Sequence, residues 1–235
     1  MPVLPDRAAL LLDLDGTLID FAPTPDTVVV PDGLRASLGR LRPLLGDALA
    51  VVTGRPIAQV DALLGALPYA VAGEHGGAIR HAPGEAEVRP ALASLPPEWL
   101  DAADRIAAER PGVLVERKQR SFVLHYRRAP EHGEALLAAM HLLLAGHEDR
   151  FAIMRASMAW EMKPLGADKA TAVEALMSRA PFAGRVPVYI GDDVTDEDGM
   201  RAARALGGLG WRVQDEFGDP AGVRAWLAEL AAGRE

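Results

Sequence analysis

Two rhythms of apolar residues alternate along this chain. Short continuous apolar runs end at Leu12, at Val52, at Ala72 and at Ile190. Runs of that length, with no polar face, read as strands buried on both sides. Between them the spacing becomes helical. Leu34, Leu38, Leu41 and Leu45 form one stripe, with Asp32 placed as its N-cap. Ile57, Val60 and Leu64 form the next, and Pro56 suits its first turn. A helix is expected over about 168–179 and another around 200–206; a strand follows near 209–213. A last helix carries Val223, Trp226, Leu227 and Leu230. Strands and helices in alternation predict an α/β fold, a parallel sheet with right-handed crossovers. Residues 21–31 read as a proline-punctuated loop.

The rhythm breaks after Ile79. Residues 81–97 are rich in Pro and Gly, and a helix with Leu100, Ala103 and Ile106 follows. Residues 113–117 and 121–128 alternate as antiparallel strands do, with Phe122, Leu124 and Tyr126 against Val123, His125 and Arg127. A helix over about 131–147 and two short strands near 151–155 and 158–162 complete an α+β insert. The expected organisation is a discontinuous core, 1–79 plus 164–235, with a cap domain, 80–163, between its halves.

Composition narrows the function classes. The chain contains no Cys, which removes disulfides and thiolate metal sites and fits a reducing, cytoplasmic setting. A net charge of -8 argues against nucleic acid as a partner. No apolar stretch approaches a membrane span and no signal-peptide pattern is present, so no membrane partner is expected.

The candidate chemistry lies where the apolar runs stop. LLLDLDGTL places Asp13 and Asp15 one residue apart, on the same side of an extended chain. Two such charges repel strongly unless a cation lies between or beside them. Asp13 is the candidate nucleophile toward phosphorus, giving an aspartyl-phosphate, and Asp15 the proton carrier. Thr53, in Thr53-Gly54-Arg55 after the second run, is either a hydroxyl donor at the same edge or a plain helix cap. Lys169, after a loop and at a helix start, is either a phosphoryl contact or surface. Asp192, Asp193, Asp196, Glu197 and Asp198 follow Gly191, directly after the apolar run ending at Ile190. Oxygen donors alone, so crowded, suit Mg²⁺ better than zinc or copper.

DLDGT, TGR, the Lys169 segment and GDD-x-x-D, in this order, resemble the four motifs of the haloacid dehalogenase superfamily. The resemblance implies a Rossmann-like core with Asp13 as nucleophile, Asp15 as acid/base, and Thr53 and Lys169 on the phosphoryl group. It also implies Mg²⁺ held by the Asp13 and Asp192 side chains and the Asp15 carbonyl, with Asp193 and Asp196 in support. GDDVTDED, VVVPDG, the E-x-K…HYR pattern at Glu116–Arg127 and E-x-K-P-x-G-x-x-K at Glu161–Lys169 are similar to segments of the trehalose-6-phosphate phosphatases. That resemblance implies Glu116, Lys118, Arg127, Glu161 and Lys163 as contacts to a disaccharide phosphate. It further implies a functional link to a trehalose-6-phosphate synthase. The superfamily motifs do not separate trehalose 6-phosphate from sucrose phosphate or mannosyl-phosphoglycerate, and a non-catalytic module of the same fold would lack a nucleophile or metal ligand. Two positions depart from the pattern. Ala170 follows Lys169 where Gly is usual, and Glu74 stands where a smaller residue is expected, as a sugar contact or a hinge. His75 and His125 read as structural hydrogen-bonders.

Overall fold

The computed structural model describes residues 2–22, 27–118 and 120–233. Residues 23–26 of the proline-punctuated loop lie outside them. The chain divides into two compact units, Met1–Pro90 with Asp168–Glu235, and Ala91–Ala167.

The first unit is built on a six-stranded sheet. Its order is β10 (Leu209–Arg212), β9 (Val186–Gly191), β1 (Ala8–Leu12), β2 (Leu49–Val52), β3 (Ala70–Gly73) and β4 (Ala78–Arg80). All neighbours are parallel except β4, which runs antiparallel to β3 with Ala72 opposite Ile79. The fold is therefore α/β with a mostly parallel sheet rather than a wholly parallel one. The reason is length: residues 74–77 between β3 and β4 are too few for a crossover, so the chain can only turn back.

Alternation along β1 sorts the helices to the two faces. Leu10 and Leu12 pack with α1 (Leu34–Leu44), α2 (Ile57–Leu64) and α8 (Pro220–Ala232), whose Trp226 is fully buried there. Ala9 and Leu11 face the other way, onto α5 (Lys169–Met177) and α6 (Asp196–Ala205). A single helical turn, α7 (Val213–Glu216), follows β10.

Two helix starts differ from expectation. Asp32 does not cap α1; the N-cap is Gly33, at φ 81, and no side chain caps it. Gly33 takes the left-handed turn itself and its carbonyl accepts from Ser37 N–H, leaving Asp32 outside the cap position. Helix α6 begins at Asp196, earlier than the apolar pattern reveals, because its first turn is Asp196, Glu197 and Asp198. Acidic side chains favour a helix N-terminus but carry no hydrophobic period.

The second unit is a four-stranded antiparallel sheet, β5 (Leu114–Arg117), β6 (Phe122–His125), β8 (Ala159–Pro164) and β7 (Phe151–Ala156). Phe122, Leu124, Phe151 and Met162 from one face bury against Trp99 and Ala103 of α3 (Pro97–Ala108) and Leu136 and Met140 of α4 (Gly133–Leu144). The helix expected over 131–147 is shorter, because a 3-10 turn occupies Pro130–His132 and Ala145 is already non-helical. No helix among the described residues is long and apolar enough to cross a membrane.

Leu12 is fully buried one residue before the first aspartate. Leu12→Ala is expected to lower stability by about 3 kcal/mol, as for other leucines cut back in packed cores. Urea unfolding followed by circular dichroism measures this; a loss near zero would mean the sheet is not packed as described.

Candidate active site

The sheet brings two chain exits together. β1 and β9 are parallel neighbours with Leu12 opposite Ile190, and Asp13 N–H extends the ladder to the Ile190 carbonyl at 2.9 Å. The chain goes on from β1 to β2 on one side, while β9 lies on the other. That reversal opens a crevice at the carboxyl ends of the strands, where ligands of open α/β sheets bind. Asp13, Asp192 and Asp196 meet there, each offering an oxygen within 4.8 Å of the others. Gly16, at φ 81, makes the turn after Asp15, and any side chain on it would run into the Asp192 carboxylate. Only glycine fits both demands.

Lys169 is the first residue of α5, whose N-cap Asp168 forms a reciprocal capping box with Thr171. Its Nζ donates to Asp13 Oδ1 at 2.7 Å and to Asp196 Oδ1 at 2.6 Å, and all three residues are buried. Asp196 Oδ1 also accepts from the Tyr189 hydroxyl at 2.7 Å, while Oδ2 accepts from Asp192 N–H and Asp193 N–H at 3.1 and 3.0 Å. Four donors use the acceptor capacity of that carboxylate. Asp196 therefore holds Lys169 and the acidic loop in place and has no lone pair to spare for a cation. Asp193 is exposed, and its carboxylate accepts from Val194 N–H at 2.6 Å, which shapes the loop.

The other two carboxylates are far less satisfied. Asp13 Oδ2 and Asp192 Oδ1 share the single proton of the Thr17 hydroxyl, each at 3.4 Å. Burial, then the Asp196 and Asp193 charges, push Asp192 up to about 6. Burial and Asp196 likewise raise Asp13 above the usual carboxylate range, against the pull of Lys169. Burial acts to lower Lys169, but Asp13 and Asp196 outweigh it and keep the ammonium protonated. Two crowded carboxylates short of donors, with only oxygen to offer, fit a hard divalent cation.

The second motif joins this edge through a residue the sequence reading did not select. Thr53 is buried at the exit of β2, and its hydroxyl accepts from Arg55 N–H at 3.2 Å. The Arg55 guanidinium grips Asp15 with two bonds, Nε to Oδ2 and Nη2 to Oδ1, both 2.6 Å. Arg55 was visible only as the third letter of TGR; nothing in the sequence said which carboxylate it would reach. The Gly73–Gly77 turn backs the motif, with Glu74 N–H on the Arg55 carbonyl and His75 N–H on the Thr53 carbonyl. Glu74 itself forms an ion pair with Arg89 at 3.1 Å.

In the second unit, register gathers the other expected residues. Glu116 lies opposite Val123, and Val123 opposite Glu161, so these share the face turned away from α3 and α4. Glu161 is buried and its Oε1 accepts from Ser121 Oγ at 2.6 Å and Lys118 Nζ at 3.1 Å. Lys163, two residues along β8, projects to the same face. Glu116 is paired with His125 Nε2 at 2.8 Å. Arg127 is set apart, exposed beyond the end of β6 and donating to Ser157 Oγ at 3.1 Å. Ser121 is the polar member of this face that the sequence reading passed over.

The trehalose-phosphatase family model matches residues 11–217, which contain every one of these motifs. The chain belongs to the trehalose-phosphatase family. It is 35% identical over 212 residues to the trehalose-6-phosphate phosphatase of Escherichia coli K12, covering 90% of this chain and 79% of that one. A Sinorhizobium fredii protein named as a probable trehalose-phosphate phosphatase is 42% identical over 210 residues, covering 88% and 78%. Among solved structures, the C-terminal domain of the C. albicans trehalose-6-phosphate phosphatase superposes with a TM-score of 0.80 at 22% identity, covering 96% of this chain and 93% of that one. The fold is that of the haloacid dehalogenase superfamily, and the relatives are named trehalose-phosphate phosphatases, a kind of phosphoric monoester hydrolase. Neither departure from the family pattern disturbs the geometry. Ala170 sits inside α5 and Lys169 still reaches Asp13, while Glu74 is tied to Arg89.

The raised Asp192 gives a stability signature for the trehalose-phosphatase site without metal. Its folded value near 6 exceeds the ordinary 3.8, so between those limits the native state holds a proton the unfolded chain has lost. The Asp192 contribution to stability therefore falls as pH rises from about 4 to about 6. Melting temperatures in EDTA should show a flatter profile across that window for Asp192→Asn than for the unaltered chain. Identical profiles would remove the electrostatic reading of this cluster.

Proposed function

We propose that this chain hydrolyses trehalose 6-phosphate to trehalose and inorganic phosphate in two displacements at Asp13, with Mg²⁺ as cofactor. The observation that carries the proposal is the buried Asp13 carboxylate, held by Lys169 at a strand exit beside the under-satisfied Asp192. Asp13 is oriented, while its second oxygen has only a long bond from Thr17 to give up.

In the first displacement an Asp13 oxygen bonds to phosphorus and the bond from phosphorus to the sugar oxygen breaks. Asp15, protonated for this step, gives its proton to the departing oxygen, so that trehalose leaves as a neutral alcohol. In the second, water attacks phosphorus, Asp15 accepts the water proton, and the Asp13 carboxylate is regenerated as phosphate departs. Lys169 and Thr53 hold phosphoryl oxygens through both steps. The Asp13 and Asp192 side chains and the Asp15 carbonyl are the proposed Mg²⁺ ligands; Asp193 and Asp196 support them through the acidic loop. When bound, the ion would offset the repulsion among the carboxylates and the phosphoryl group. The unit Ala91–Ala167 is the proposed cap. Its polar face, Glu116, Lys118, Glu161 and Lys163, with Arg127 at its margin, is proposed to take the sugar hydroxyls. Paired charges suit that task because a wrong ligand would leave them unmatched. Such a substrate is a sugar phosphate already joined to a second sugar, so a glycosyl-transfer reaction must supply it, which supports the link to a trehalose-6-phosphate synthase.

Phosphate release from trehalose 6-phosphate is expected with Mg²⁺ present and should be abolished by EDTA and restored by added Mg²⁺. Asp13→Asn should reduce turnover to background while the circular dichroism spectrum stays that of the parent; substantial turnover would sink the nucleophile assignment. In a substrate panel, trehalose 6-phosphate should give a higher kcat/KM than sucrose phosphate, mannosyl-phosphoglycerate or glucose 6-phosphate. Glu161→Gln should cost roughly 10-fold or more in kcat/KM for the disaccharide, the scale of one lost charged hydrogen bond. A different best substrate would refute the sugar assignment and leave the phosphatase chemistry standing.

A further inference from the structure

We propose that Arg55 is the positioning residue for Asp15, fixing the plane of its carboxylate for proton exchange. This rests on the reading of Asp15 as proton carrier. The two-toothed grip occupies both Asp15 oxygens at 2.6 Å. Bonds of that kind fix the plane of a carboxylate as well as its place. Each Asp15 oxygen keeps a second lone pair, so the fork fixes the direction from which a proton is received or given without blocking it.

The anchoring is lopsided, and that assigns the roles. Arg55 is fixed at several points: its N–H on Thr53 Oγ1 at 3.2 Å, its carbonyl on Glu74 N–H at 3.0 Å, and its Nη1 on Gln59 Oε1 at 3.2 Å. Glu74, the residue that holds the Arg55 carbonyl, has φ 52, and His75 beside it φ 55. Both are in the left-handed region that side-chain-bearing residues avoid, so the turn backing Arg55 is held in a costly shape. Asp15 sits on the Gly16 turn just past β1, which is itself held by Gly16 N–H on the Ile19 carbonyl at 2.8 Å, but among the described residues its side chain is gripped by Arg55 alone. The guanidinium is thus the fixed member and the carboxylate the one being placed. A lysine could balance the charge but not the plane.

A double-mutant cycle tests this on the whole 235-residue chain with Mg²⁺. Wild type, Arg55→Ala, Asp15→Asn and the double variant are compared by steady-state kinetics on p-nitrophenyl phosphate, whose good leaving group still needs water activated in the second displacement. Using that substrate separates this test from the identity of the sugar. Arg55→Ala is expected to lose roughly 100-fold in kcat with KM little changed, the low end of what a positioned acid or base supplies. The double variant should be no slower than Asp15→Asn alone, because the two losses are one loss. Added guanidinium ion should restore part of the Arg55→Ala rate and none of the Asp15→Asn rate. Arg55→Lys, which keeps the charge without the fork, should fall between wild type and Arg55→Ala and remains informative if the alanine variant does not fold. Additive losses, or a loss lying in KM with kcat retained, would overturn the proposal and place Arg55 on the substrate directly. Wild-type kcat in Asp15→Asn would instead remove the proton-carrier reading, and the proposal with it.

Discussion

A lysine held between two carboxylates in the protein interior is the interaction on which the rest of the site depends. Lys169 bonds Asp13 and Asp196 at once, and all three are buried. Removing one partner from such a cluster leaves a buried charge uncompensated, which costs about 3–5 kcal/mol in comparable cases. The cluster is therefore a constraint on the fold as well as a piece of chemistry. It requires α5 to begin at Lys169, β9 to deliver the acidic loop beside β1, and α6 to start at Asp196. Each requirement is met by a local device: a capping box, a parallel ladder and an acidic first turn.

The division of labour among the aspartates follows from counting donors. Asp196 has four, Asp193 is turned to its own loop, and Asp13 and Asp192 share one hydroxyl proton. Five acidic residues in eight positions look equivalent in the sequence. In the fold only one of them, Asp192, is left facing Asp13 with unsatisfied oxygens. The same accounting identifies the Glu161 face of the second unit. Its buried carboxylate is held by Ser121 and Lys118 rather than by the apolar core, which lies on the opposite side of the sheet.

The TGR and GEHGG stretches form one supporting structure beneath the second strand exit. Backbone bonds from Glu74 and His75 hold the carbonyls of Arg55 and Thr53, and Glu74 is tied to Arg89. A residue expected to be a sugar contact or a hinge is thus part of what keeps the Arg55 fork in position. Its left-handed backbone is the local strain accepted for that placement.

What the sequence determined was what leaves a periodic mark along the chain. Continuous apolar runs gave β1, β2, β3 and β9, and period-3.6 stripes gave α1, α2, α5 and α8, because burial leaves a periodic mark. The motif order carried the superfamily fold and the family, because strand-end aspartates, threonine and lysine occur in that order along the chain. It did not yield β4, whose antiparallel return is imposed by a short turn, or the N-cap of α1, where Gly33 took the position assigned to Asp32. Nor could it yield the pairing of side chains far apart in sequence. Lys169 with Asp13, Arg55 with Asp15, Glu161 with Lys118, and His125 with Glu116 are all made by strand order and register. Those pairings fix how the charges are oriented and which oxygens remain available, because hydrogen-bond geometry exists only once the strands are side by side.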